Sequence, residues 1–214
     1  MVLLHGQPGS GTDWKQVEER LPHGLNVLAP DRPGYGASRR PAGGFAAGAR
    51  ALLAEMDARG IDQAVLVGHS YGGGVALAAA RLAPERVAGL AAVTRLRRRP
   101  LAADEFVNLQ TWGNAHYDHG PLWRSFLTEQ RALMRELDDL TASLPEVTQP
   151  VLLLADARDM IIPVRATHRL AAVLPDARVE LLNGPGHHLP RRAAPGIADA
   201  IAGFLATLDD QAAA

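Results

Sequence analysis

The feature that most constrains the fold of this chain is a repeated order of short apolar runs, glycine-rich turns and alanine-rich stretches. The apolar runs lie at residues 2–4, 25–29, 64–67, 87–93, 151–155 and 179–182. Runs of this kind, which a polar residue interrupts only at Asn26 and Glu180, are typical of strands that are buried on both faces of a sheet. Helical patterns lie between or after them at residues 45–59, 73–82, 164–173 and 196–208. Strands that alternate with helices form right-handed βαβ units. The sequence therefore predicts an α/β fold, a mostly parallel sheet with helices on both faces.

One interval departs from this order. It contains no predicted strand, but it has a helical pattern around residues 122–140 and two of the three tryptophans, Trp112 and Trp123. Aromatic residues make up only 5% of the chain, so their concentration in an insertion between core strands is typical of a lid over a pocket. The alternative is that these aromatics only anchor the insertion to the core. The predicted division is a core in two parts, residues 1–94 and 150–214, and a short helical lid at residues 95–149.

Composition excludes several kinds of site. The 214 residues include no cysteine, which excludes disulfides, thiolate metal sites and a cysteine nucleophile. The formal net charge of −1 gives no electrostatic reason to expect nucleic acid or an anionic membrane surface as a partner. The first residues lack the apolar core of a signal peptide and the roughly 20 apolar residues of a membrane span. We therefore expect a cytoplasmic protein, without a nucleic-acid or membrane partner and without a metal or cofactor.

The strongest motif is G-x-S-x-G, from Gly68 to Gly72, with Ser70 at its centre. It follows directly on the predicted strand at residues 64–67 and opens into a glycine- and alanine-rich helical pattern. A sharp strand-to-helix turn of this kind holds a serine hydroxyl exposed, on a strained backbone. Glycine is needed on either side, because a side chain there would clash with the neighbouring strand or helix. The pattern indicates that Ser70 is a nucleophile.

A serine nucleophile needs a base, and the base needs an acid that orients it. Two loops after later strands carry the required side chains. The loop after the fifth predicted strand contains Asp156 and Asp159, and the loop after the sixth contains His187 and His188. The chain order serine, acid, histidine fits a triad placed at the ends of parallel strands.

Four motifs in this order resemble those of the α/β-hydrolase superfamily, in its esterase and haloperoxidase-like branch. They are H-G-x-P-G at residues 5–9, D-x-x-G-x-G-x-S at residues 31–38, the serine motif, and the pair D-x-x-x-P and G-x-G-H in the two later loops. The resemblance covers nearly the whole chain except the lid. It implies that Ser70 is the nucleophile, that His187 is the base and that Asp159 is the acid. Asp156 is the second choice for the acid, because the family pattern has glycine at its position.

The resemblance also implies an oxyanion hole formed by the backbone N–H groups of Gln7 and Tyr71. His5 is expected to order the oxyanion loop by hydrogen bonding, and Asp31 and Arg32 are expected to tie down a loop rather than to take part in the reaction. Candidates for the substrate pocket are Trp14, for which core packing is an equal alternative, His188, Trp112 and Trp123.

Family members carry two further strands before the one that begins here at Val2. We therefore expect a sheet that lacks these strands and has an exposed edge. The alternatives are an incomplete gene product, a natural minimal form, or an oligomer in which a second copy of the chain pairs through this edge. The expected activity is hydrolysis of a small or medium ester through an acyl-serine intermediate, with a small ester-like molecule as the partner. The alternatives are perhydrolysis or C–C bond hydrolysis by the same triad, or an inactive hydrolase-like binding protein.

Overall fold

A computed structural model of the chain describes residues 1–93, 120–159, 163–184, 186 and 189–213. The strands within these residues are β1 (Val2–Leu4), β2 (Ala64–His69), β3 (Val87–Val93), β4 (Val151–Asp156) and β5 (Ala177–Leu182). They form one sheet in the order β1-β2-β3-β4-β5, and every neighbouring pair is parallel. The predicted parallel sheet is confirmed.

Helices connect the strands, as the alternating pattern predicts. In chain order they are α1 (Lys15–Glu18), α2 (Phe45–Ala58), α3 (Tyr71–Leu82), α4 (Pro121–Ala142), α5 (Val164–Ala171), α6 (Leu189–Arg192) and α7 (Ala194–Ala213). The four predicted helical patterns correspond to α2, α3, α5 and α7. Within the described residues, no helix is both long enough and apolar enough to cross a membrane.

Both faces of the sheet are apolar and covered by helices. In β4, Val151 and Leu153 belong to one apolar cluster, whereas Leu152 and Leu154 belong to the other, because successive side chains of a strand point to opposite faces. The first cluster is shared with α2, α3, α4 and α5, and the second with α1, α6 and α7. Burial on both faces explains why the runs that form β1 to β4 contain no polar residue at residues 2–4, 64–67, 87–93 and 151–155, whereas Glu180 lies in the partly exposed edge strand β5.

The predicted strand at residues 25–29 is reduced to a single bridge. Leu28 pairs in parallel with Val2, and two main-chain hydrogen bonds of 2.8 and 3.0 Å join the segment to β1. In the described part of the chain nothing pairs with its other side, and Leu25 is 37% exposed. Its neighbour β1 is only three residues long, so it offers few main-chain partners along which this segment could stay regular. The prediction of a full strand here was wrong.

The insertion between β3 and β4 contains α4, which confirms the helical pattern around residues 122–140. This helix packs against α2 and α3. Its Glu136 accepts a 3.4 Å hydrogen bond from the N–H group of Ala46 in the first turn of α2, where a negative charge is favourable. The earlier part of the insertion, residues 94–119, lies outside the described residues.

Candidate active site

Ser70 lies at the junction of β2 and α3. Its φ and ψ angles are 50° and −117°, and it is the only non-glycine residue in the described part of the chain with a positive φ. A residue with a Cβ is strained in this conformation. The turn is held by hydrogen bonds from Ser70 N–H to Val93 O at 2.9 Å and from Gly73 N–H to Ser70 O at 3.0 Å. The strained strand-to-helix turn that the motif predicts is therefore present.

The two glycines of the motif are required by close contacts between main-chain atoms. A Cβ on Gly68 would overlap the carbonyl oxygen of Gly72, and a Cβ on Gly72 would overlap the carbonyl oxygen of Leu4. Backbone atoms cannot move aside as the end of a flexible side chain can. Glycine at position 68 thus lets the chain fold tightly onto the start of α3, and glycine at position 72 lets the turn approach the end of β1, which leads into the next part of the site.

The loop after β1 passes beside Ser70. A Cβ built on Gly6 would lie 3.3 Å from Ser70 Cβ and 2.8 Å from His69 Nδ1. The N–H groups of Gln7 and Tyr71 donate to no backbone acceptor among the described residues. Two N–H groups without a backbone acceptor, on residues that adjoin this contact, fit the predicted oxyanion hole.

His5 is fully buried and uses both ring nitrogens in this loop. Its Nδ1–H donates to Gly6 O at 2.8 Å, and its Nε2 accepts a 2.9 Å hydrogen bond from Arg32 N–H. These partners assign the neutral tautomer with the proton on Nδ1. Burial lowers the pKa of His5 to about 3, and the charge of Arg32 acts in the same direction. The expectation that His5 orders the loop after β1 by hydrogen bonding is confirmed, and the role of that loop as the oxyanion loop stays a prediction.

Arg32 joins the same loop to helix α4. Its Nε–H donates to His5 O at 2.8 Å and its Nη2–H to Gly6 O at 2.9 Å. The guanidinium also binds the Glu129 carboxylate, with Nη1–Oε1 at 2.5 Å and Nη2–Oε2 at 3.3 Å. The Tyr35 hydroxyl donates to Glu129 Oε2 at 2.6 Å. Both charged side chains are almost fully buried, so this network belongs to the interior of the site.

Arg32 and Glu129 each stabilise the charged form of the other. Burial raises the pKa of Glu129, and Arg32 opposes that shift. Burial alone would lower the pKa of Arg32, but the adjacent Glu129 carboxylate raises it above its usual value. The guanidinium carbon lies 4.9 Å from the ring centroid of Tyr35 and 5.0 Å from that of Tyr71, within the range of cation–π attraction. Burial raises the pKa of both tyrosines, so neither is a base at neutral pH.

Asp31 fastens the next loop, as the sequence predicts. Its Oδ1 accepts a hydrogen bond from Gly11 N–H at 2.8 Å, and its Oδ2 accepts one from Ala37 N–H at 2.7 Å. Burial acts to raise the pKa of Asp31, but the two N–H donors hold it below its usual value. Asp31 and Arg32 thus hold the backbone of two loops, which confirms their expected role.

Two buried carboxylates with different surroundings, Asp156 and Asp159, lie at the end of β4 and in the loop that follows it. Asp159, the predicted acid, is 4% exposed, and its N–H donates to Asp156 O at 3.0 Å. Asp156 Oδ1 accepts from Arg158 N–H at 2.7 Å, and Oδ2 accepts from Gly186 N–H at 3.2 Å. Asp156 therefore builds the turn that carries Asp159 and joins it to the loop that leads to His187.

The remaining predicted site residues divide into two groups. His187, His188 and Trp112 lie outside the described residues, so the triad stays a prediction. Trp14 is fully buried in the apolar cluster beneath α1 and α7, as the core-packing alternative expects. Trp123 is 6% exposed on α4 and stacks on Phe126, with ring centroids 5.0 Å apart.

Glu129 was not among the site residues predicted from the sequence. Its position carried a signal, because Glu129 is three residues after Phe126 and four before Leu133, and both of these are buried. Positions at this spacing share one face of a helix. A carboxylate on the buried face of an amphipathic helix indicates a buried partner, but nothing in the helix itself identifies that partner as Arg32.

Comparison with known proteins places these features in a family. The model described as the alpha/beta hydrolase family matches residues 1–200. Pimeloyl-[acyl-carrier protein] methyl ester esterase from Aromatoleum aromaticum is 31% identical over an alignment of 235 residues, which covers 87% of this chain and 90% of that protein. The 2-hydroxymuconate semialdehyde hydrolase of Pseudomonas putida is 29% identical over 252 aligned residues, covering 97% and 87%. The structure of a thermophilic esterase from Thermogutta terrifontis has the same fold, with a TM-score of 0.82, 24% identity and coverage of 97% and 89%.

Proposed function

Because this chain belongs to the alpha/beta hydrolase family, we propose that it hydrolyses a small or medium carboxylic ester through an acyl-serine intermediate on Ser70. The observation that carries the proposal is the backbone of Ser70, whose φ of 50° is unusual for a residue with a Cβ. Such strain persists where the surrounding structure enforces it, and it is concentrated at functional sites. The relative that is a methyl ester esterase supports an ester as the substrate.

In the first half of the proposed reaction, Ser70 Oγ attacks the ester carbonyl carbon and its proton passes to His187. The carbonyl π electrons move onto the oxygen, and the resulting oxyanion accepts hydrogen bonds from Gln7 N–H and Tyr71 N–H. Asp159 holds the imidazolium in place. The C–O bond to the alcohol then breaks, and the alcohol leaves with the proton from His187.

In the second half, water hydrolyses the acyl-serine ester. His187 takes a proton from the water, whose oxygen attacks the acyl carbon and forms a second oxyanion in the same hole. The bond to Ser70 Oγ breaks, His187 returns the proton to it, and the carboxylic acid is released. Both halves use the same two N–H donors, so the geometry of the oxyanion loop affects each barrier.

Substitution of the nucleophile tests this proposal. The purified protein is expected to release p-nitrophenol from p-nitrophenyl butyrate and to gain the mass of one phosphonyl group with a fluorophosphonate. Ser70→Ala should lose both properties, with kcat reduced by at least about 1,000-fold. Ser38→Ala is the matched control, because that serine lies in another loop of the core, and it should retain both. A folded wild-type protein without esterase activity and without labelling would contradict the proposal.

A second candidate is the hydrolysis of a C–C bond by the same residues. The relative named 2-hydroxymuconate semialdehyde hydrolase favours it, since it covers 97% of this chain. The two candidates are separated by comparing kcat/KM for a series of p-nitrophenyl esters with kcat/KM for 2-hydroxymuconate semialdehyde. If the ester proposal is right, the highest kcat/KM among the esters should exceed the kcat/KM for the semialdehyde. The reverse order favours C–C cleavage.

A further inference from the structure

The ion pair between Arg32 and Glu129 has no part in the proposed proton transfers, although it adjoins the site. The two side chains are only 3% and 2% exposed. Taking two charges out of water has a cost that their attraction often fails to exceed, and well-packed apolar side chains stabilise a fold equally well or better. Stability alone is therefore a poor explanation for the pair.

Arg32 acts on the oxyanion loop through two carbonyl groups, those of His5 and Gly6, at 2.8 and 2.9 Å. The peptide between Gly6 and Gln7 is planar and trans, so its C=O and N–H groups point in opposite directions. Fixing the Gly6 oxygen against the guanidinium therefore also fixes the direction of the Gln7 N–H, which points away from Arg32.

Arg32 also contacts the residue that carries the second proposed donor. Its guanidinium carbon is 5.0 Å from the centre of the Tyr71 ring, and the Tyr71 hydroxyl donates to Gly43 O at 3.2 Å. The same cation thus lies against Tyr71 and against the peptide that carries the Gln7 N–H. A shift of Arg32 would disturb both sides of the proposed oxyanion hole.

Glu129 determines where this cation lies. Its two oxygens bind Arg32 from helix α4, 97 residues later in the chain, and the Tyr35 hydroxyl holds one of them. One turn earlier on α4, Ser125 Oγ donates to Gly34 O at 2.7 Å. The helix is thus fastened to the loop that contains Arg32 at two points, so its docking and the orientation of the guanidinium are coupled.

We infer that Glu129 is a positioning residue of the oxyanion hole: through Arg32 it aims the Gln7 N–H at the tetrahedral oxyanion, so the hole is complete only while α4 is docked. The inference rests on the proposed function and assigns helix α4, which lies in the insertion predicted as a lid, a part in the reaction. It also explains why a pair of charges lies where apolar side chains would stabilise the fold as well.

The test replaces the whole pair, with Arg32→Met and Glu129→Leu in one protein, because removing one partner leaves an unpaired buried charge. We expect a folded protein whose kcat for p-nitrophenyl butyrate is about 10- to 100-fold lower, while KM changes by less than about 3-fold. The inhibition constant of butylboronic acid, whose tetrahedral adduct on Ser70 places an oxygen in the hole, should rise by a similar factor. A merely structural role would alter the melting temperature without this selective loss.

Two further variants complete the experiment. Glu136→Gln is the matched control, since it changes a carboxylate on the same helix that contacts α2 and not Arg32, and its kcat should equal that of the wild type. Glu129→Gln removes the charge and one of the two oxygens that hold Arg32, so its kcat and its boronate affinity should fall in the same direction by a smaller factor. It is measured below its own melting temperature, which gives a result even where the double variant does not fold. Wild-type kcat and wild-type boronate inhibition in the folded double variant, or in folded Glu129→Gln, overturn the inference. Absence of esterase activity and of Ser70 labelling in the wild type contradicts the proposed function instead.

Discussion

Strain at a single residue separates Ser70 from every other residue with a side chain in the described part of the chain. A backbone in a sparsely populated region costs about 1–3 kcal/mol, and Ser70 has a φ of 50° and a ψ of −117°. Its hydrogen bonds to Val93 and Gly73 hold this geometry. The conformation places the hydroxyl at the end of the strand at some expense of stability, as active sites often do.

Ser70→Gly is therefore expected to be more stable than the wild type, by about 1 kcal/mol, because glycine adopts a positive φ without a steric penalty. Ser70→Ala is the control, since it removes the hydroxyl but keeps the Cβ, and its free energy of unfolding should differ little from that of the wild type. Urea unfolding at neutral pH measures both. Equal stability of the glycine and alanine variants would show that the turn is not strained.

Single residues also show how far a sequence can predict a site. The turn at Ser70 could be predicted because its causes are local: glycines that flank it, a strand before it and a helix after it. The role of His5 followed from its motif. Glu129 could not be paired with Arg32, because 97 residues separate them and only the packing of α4 against the core brings them together. His187 stays a prediction.

At the scale of elements, hydrogen bonds of one side chain join the loops after β4 and β5. Asp156 ends β4, where the family resemblance leads us to expect glycine, and its carboxylate accepts N–H groups from Arg158 and Gly186. The first bond shapes the turn that carries Asp159. The second reaches the residue before His187. One buried side chain, 1% exposed, therefore links the loops of the proposed acid and base.

Two conservative substitutions distinguish these carboxylates. Asp159→Asn should lower kcat by about 10,000-fold, because an amide does not orient and stabilise the imidazolium, and should leave stability nearly unchanged. Asp156→Asn should lower the free energy of unfolding by about 1–3 kcal/mol, since one N–H group loses its acceptor, with a smaller loss of kcat. Steady-state kinetics and urea unfolding of both proteins provide the measurements. The reverse order of kcat values would make Asp156 the catalytic acid.

Element boundaries follow from the sequence where an element is buried on both faces. Strands β2 to β4 and helices α2 and α3 lie close to their predicted positions for this reason. The segment at residues 25–29 includes Asn26 and lies at the edge, beside a strand of only three residues that gives it few main-chain partners. Composition does not reveal how long a neighbouring strand will be. Pairing of a second copy at this edge stays a prediction.

The molecule as a whole should lose stability in acid because of His5. Burial lowers the pKa of His5 from 6.5 to about 3, so between these values the unfolded chain binds a proton that the folded chain does not. Its contribution to the free energy of unfolding therefore falls as the pH falls through this window. One pKa unit corresponds to about 1.4 kcal/mol, so the change between pH 6.5 and pH 5 is about 2 kcal/mol.

Urea unfolding at pH 7 and pH 5 measures this dependence. His5→Gln cannot gain a proton in either state, so the decrease in its unfolding free energy should be about 2 kcal/mol smaller than that of the wild type. His23→Gln is the control, because it removes a histidine at an exposed position and should retain the wild-type decrease. Identical pH dependence of all three proteins would mean that His5 is protonated equally in both states.

The buried pair of Arg32 and Glu129 also restricts how this sequence can diverge. Loss of one partner leaves the other charge unpaired in the interior, at a cost of about 3–5 kcal/mol. This is a large share of the roughly 5–15 kcal/mol by which a typical domain is stable. Replacement of both together avoids that cost. Descendants of this gene should therefore inherit the two positions as a unit, both ionic or both apolar, and an apolar lineage should either be a slower enzyme or have gained another means of orienting the loop at Gly6.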